Sequence, residues 1–158
     1  MKTARMTLSI FMVLSFMTLY AQNMEEPAHS SDYYFSTTVK GDIETVTGQL
    51  KKSLKAEGFS VVTEINMQET LAEKLDVEIM PYRILGVCNA TYAYETMQKE
   101  ENIGVFLPCK MVLKQVGDNM VEVVAVNPSV LIELVGNEEL DEAASEVTER
   151  FEKIIKGL

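Results

Sequence analysis

The sequence predicts an α+β domain built as a two-layer sandwich, with an antiparallel-rich sheet and a long C-terminal helix packed on it. Three observations lead there. Segments of strand alternation recur between residues 33 and 126, a helical apolar stripe runs over 140–155, and the order strand, helix, several strands, long helix suits a sheet covered by helices. At 158 residues the chain holds one ordinary globular domain plus its ends. An apolar content of 47%, with only 8 Gly and 4 Pro, excludes a disordered tail and a low-complexity fibre.

Lys2 and Arg5 precede an apolar run from Met6 to Tyr20 that ends at Ala21, the outline of a secretory signal peptide. The run is about 15 residues, short of the ~20 that cross a bilayer as a helix. Residues 1–21 are therefore expected to leave, placing the product in the periplasm or outside the cell with no stable membrane insertion. Their loss alters the charge. The 14 bases become 12 without Lys2 and Arg5, all 24 acids stay, and the formal net goes from −10 to −12. Such an acidic domain is no nucleic-acid binder, because phosphate-backbone affinity rests on clustered Lys and Arg. Residues 22–32 are polar, contain Pro27 and the one histidine, His29, and read as a flexible leader to a domain over 33–158.

Tyr33, Phe35, Thr37 and Val39 alternate with smaller or polar residues, which predicts a strand. Gly41 ends it, Asp42 is placed to cap, and Ile43, Val46, Leu50 and Leu54 recur at helical spacing up to a stop at Gly58. Gly48 lies inside that helix, where it suggests a close packing contact. A second strand follows over 59–65, then a short helix over 69–75 and a turn at Met80 and Pro81. The nearly continuous apolar run from Tyr82 to Cys88 suits a buried strand. A short helix over 91–100 has Tyr94 and Met97 on one face, and 103–108 reads as a further strand. Residues 110–115 and 120–126 form a hairpin around Val116-Gly117-Asp118-Asn119, and Pro128 starts a break before a short apolar helix or turn over 130–135. In the last element Leu140, Ala143, Ala144, Val147, Phe151, Ile154 and Ile155 hold one face, with acids at its start, Lys153 and Lys156 near its end and Asn137 as a candidate cap.

What the chain lacks narrows its chemistry. With one histidine, in the leader, neither a Ser/His/Asp nor a Cys/His arrangement can be assembled inside the domain. The sequence contains no glycine-rich phosphate loop, histidine cluster for zinc or calcium-binding acidic loop. The pair Cys88 and Cys109 remains, each at an apolar segment. An even cysteine count in an exported chain suggests a disulfide, and closing that loop would contribute roughly 3 kcal/mol. The alternatives are a reduced pair that binds a soft metal or exchanges thiols, with Arg83 in reach only if the strand geometry allows it, and two inert core thiols. Met80 and Met111 flank the cysteine segments and are simplest as core residues.

The stretches Glu57-Gly58-Phe59, Pro81-Tyr82-Arg83-Ile84-Leu85-Gly86-Val87-Cys88-Asn89, Tyr92-Ala93-Tyr94-Glu95, Ile103-Gly104-Val105-Phe106-Leu107-Pro108-Cys109 and Leu134-Val135-Gly136-Asn137 resemble, in order and spacing, the DUF302 family, a domain of unknown function of bacteria and archaea. The resemblance spans about residues 33–158. It implies a small α+β domain and homodimers, and it marks Cys88, Asn89, Leu107, Pro108 and Cys109 as family features. This chain departs from the pattern at Ala90, where the family usually has proline. The resemblance brings no established activity and names no cofactor. Two functions follow as expectations. The first is binding of a small ligand or soft metal, or thiol exchange, through Cys88, Cys109, Asn89 and Arg83. The second is a non-enzymatic interaction or dimerisation module with structural cysteines.

Overall fold

The computed structural model describes residues 29–158. The expected signal peptide and most of the expected leader lie outside the described residues. A six-stranded, wholly antiparallel sheet forms the centre, in the order β1-β2-β6-β5-β4-β3. Its strands are β1 (His29–Ser31), β2 (Tyr34–Lys40), β3 (Ser60–Asn66), β4 (Tyr82–Cys88), β5 (Cys109–Gly117) and β6 (Met120–Val126). The helices are α1 (Ile43–Ala56), α2 (Met67–Leu75), α3 (Ala90–Lys99), α4 (Pro128–Val135) and α5 (Asp141–Lys156), with 3-10 turns over Glu101–Phe106 and Glu138–Leu140.

Period-two alternation sends Leu85 and Val87 of β4, Met111 and Leu113 of β5, and Val121 and Val123 of β6 to one face, where all are buried. Helices α1 and α5 cover that face through Val46, Leu50, Leu54, Phe151 and Ile155, and the Phe59 and Phe151 rings meet at 5.1 Å. Asp42 caps α1 by accepting from the Thr45 amide at 2.8 Å. A smaller cluster of Ile103, Ile132, Leu140 and Ala144 sits beside the main one, under α4 and the two 3-10 turns. The long C-terminal helix thus serves both clusters, since Ala144 belongs to the second and Phe151 to the first.

Four expectations need correction. His29–Ser31 at the end of the expected leader pairs with β2 as a short edge strand, because Asp32 and Tyr33 turn the chain back on itself. Residues 103–108 are not a strand. Residues 101–106 form a 3-10 turn instead, and the segment cannot pair with β4, whose two edges are taken by β3 and β5. Gly48 marks no close contact, since nothing lies within 4 Å of where its Cβ would stand. Tyr94 and Met97 of α3 point outward, 67% and 50% exposed, and α3 packs through Tyr92, Ala93 and Thr96 instead.

Candidate functional site

Cys88 ends β4 and Cys109 begins β5. Cys109 lies opposite Val87 in the antiparallel register, so the cysteines are diagonal neighbours on adjoining strands. Both are free thiols and half-buried. Asn89 follows Cys88 and caps α3. Its side-chain oxygen accepts from the amides of Thr91 at 3.0 Å and Tyr92 at 3.3 Å, while its nitrogen donates to the Gly58 carbonyl at 2.9 Å. One asparagine therefore ties the end of β4, the start of α3 and the stop of α1, where Gly58 takes φ +82°. Ala90 occupies the first helical position, and the cap forms without a proline there.

On the other strand the Leu107–Pro108 peptide is cis, and Pro108 lies against Gly86 of β4. A Cβ at Gly86 would come within 2.6 Å of the Pro108 ring, so glycine is what lets this segment lie down on the sheet.

These devices shape a pocket of about 70 Å³ where the two clusters meet. Val87, Cys88, Cys109 and Phe59 form the sheet wall. Tyr92, Ala93 and Thr96 of α3 form a second wall, Ile103, Phe106 and Leu107 a third, and Leu131, Ile132, Leu140, Ala143, Ala144 and Val147 close it from α4 and α5. At about 10–15 Å³ per water-sized probe, the space holds about five to seven such positions.

The polar groups on these walls are engaged elsewhere. Thr96 donates to the carbonyls of Tyr92 at 2.8 Å and Ala93 at 3.1 Å. The Tyr92 hydroxyl is bonded to Glu146, which raises its pKa, and its ring lies 5.8 Å from the Arg150 guanidinium. Burial pushes both thiols up. Cys109 is raised to about 11 by desolvation first and the nearby Cys88 second. Cys88 is raised by burial alone. Both are protonated at neutral pH, which is unfavourable for thiolate exchange.

Arg83 belongs elsewhere. It lies five residues before Cys88 on β4, roughly 17 Å away along a strand, and it binds Glu44 and, at 3.3 Å, Glu64. The hydrogen bonds that Arg83 donates to the Glu44 carboxylate raise the Arg83 pKa and lower that of Glu44. Arg83 is not among the groups that shift either cysteine, so the thiols ionise without its help. Among the described residues no group of three or more His, Cys, Asp or Glu side chains is arranged to hold a metal, leaving the thiols as a two-donor set. No described helix is long and apolar enough to cross a membrane. Of the residues expected at the site, Cys88, Asn89 and Cys109 converge on the pocket and Arg83 does not. Tyr92, Thr96, Ile103, Leu131, Ile132 and Ala144 were not expected there.

The fold and site define a small α+β sandwich with one apolar pocket at the junction of β4, β5 and α3. The chain belongs to the DUF302 family, described as a domain of unknown function, whose model matches residues 35–158. It is similar to a solved structure, the crystal structure of an uncharacterized conserved DUF302 protein from Bacillus stearothermophilus. The identity is 27% and the TM-score 0.73, with 80% of this chain and 98% of that one covered. No curated protein matches the chain significantly.

Proposed function

We propose that this is an exported, non-catalytic binding domain whose site is the pocket beside Cys88 and Cys109. The observation that carries this reading is an apolar hollow left between two otherwise packed clusters. Protein interiors are close-packed, and a void of this size gives up contacts unless something fills it. Thiol exchange is the weaker use of the site, because both thiols are held protonated. A soft metal is weaker too, because the pocket offers two neutral sulfurs while Asn89, Tyr92 and Thr96 are engaged in other hydrogen bonds.

Methyl NMR of the purified protein tests the binding reading with toluene, benzyl alcohol, benzoate and benzylamine as probes. At least one should shift the methyls of Val87, Ile103, Ile132 and Val147, and silence from all four would overturn it. Export rests on the apolar run that ends at Ala21. A protein recovered from cells at the mass of the full 158 residues would overturn that part.

A further inference from the structure

From the way the pocket's polar groups are committed we infer its ligand class: a small, uncharged, apolar molecule. This rests on the binding reading above. An anion would look for free amides, and the start of α3 is the nearest supply. Asn89 already takes the Thr91 and Tyr92 amides there. A polar neutral ligand would look for hydroxyls. Thr96 gives its proton to backbone carbonyls of its own helix, and the Tyr92 hydroxyl is tied to Glu146. A cation would look for a carboxylate, and no Asp or Glu lines the pocket. The other polar atoms of the lining are a pair of neutral thiols, weak donors that suit a polarisable or aromatic face rather than a charge. A buried charge with no partner is strongly disfavoured, so discrimination against charged analogues should be steep.

The test compares isosteric probes on the same protein. Toluene is expected to bind in the millimolar range or tighter, shifting the Ile132 and Val147 methyls, with benzoate and benzylamine at least about 100-fold weaker. Ala144→Leu, which pushes a side chain into the space, should abolish the toluene shifts. Should that variant fail to fold, NOEs from toluene ring protons to the Ile132 and Val147 methyls in the unaltered protein decide the same point. Benzoate or benzylamine binding as well as toluene would overturn the ligand class and leave the pocket reading standing. A response to benzyl alcohol with none to toluene would overturn the ligand class alone, and silence from all four probes would overturn both.

Discussion

Alkaline pH should weaken the fold through Cys109, by an amount that follows from its surroundings. Its thiol is raised from 9.0 to about 11 in the folded chain, chiefly by desolvation. Between those values the unfolded chain releases this proton while the folded chain keeps it. The folded state then binds more protons than the unfolded one, and stability falls as pH rises. The contribution is fully present below about pH 9 and is lost by about pH 11. Two pKa units at 1.36 kcal/mol each give a loss of about 2.7 kcal/mol. Tyrosines and lysines titrate in the same window, so the useful quantity is a difference between proteins. Urea unfolding at pH 8 and pH 11 should show the wild type losing about 2 to 3 kcal/mol more than Cys109→Ala, even though the variant starts less stable. Thiolate absorbance near 240 nm gives an independent reading, rising well above pH 9 for Cys109. An equal loss in the two proteins, or a thiol that ionises at its ordinary pH, would refute the placement of Cys109 in an apolar wall.

Gly86→Ala should destabilise by about 1 to 3 kcal/mol in denaturant titrations, because the new methyl meets the Thr63 hydroxyl of β3 first and then the Pro108 ring at 2.6 Å; an unchanged midpoint would mean both neighbours move aside freely. Asn89→Ala removes the cap of α3 and the link to Gly58, and should cost about 1 to 2 kcal/mol, with faster amide exchange at Thr91 and Tyr92. Gly48→Ala should stabilise by about 0.5 to 1 kcal/mol, read as a raised Tm, because the added methyl has open space. Arg83→Met should leave the alkylation rates of both cysteines unchanged while lowering stability by about 1 kcal/mol or less, as expected for partly exposed ion pairs. A change in thiol reactivity would place Arg83 back at the site.

Most of the fold was legible because local signals and tertiary demand agree. The strand at Tyr82–Cys88 and the helix capped by Asp42 are examples. The misreadings occur where they disagree. Ile103 to Phe106 has the composition of a strand, yet a strand needs a neighbour with a free edge, and edge availability is a property of the finished sheet. In α3 the large apolar residues drew attention to the face of Tyr94 and Met97, but the packed face is the one bearing Ala93 and Thr96.

That reversal bears on the site itself. A hydrophobic pattern marks where side chains fill space, whereas a pocket is made where they do not. Ala93, Thr96, Ala143 and Ala144 contribute to this one partly by being small, and smallness in a helix carries no period of its own. Cys88, Asn89 and Cys109 stood out because their types are chemically marked, and all three line the pocket. Their marked chemistry suggested thiolate and metal. In the folded chain the surroundings keep both thiols neutral, and the same two sulfurs become part of an apolar wall. Here the residues identify the place, and the desolvation around them decides what can be done there.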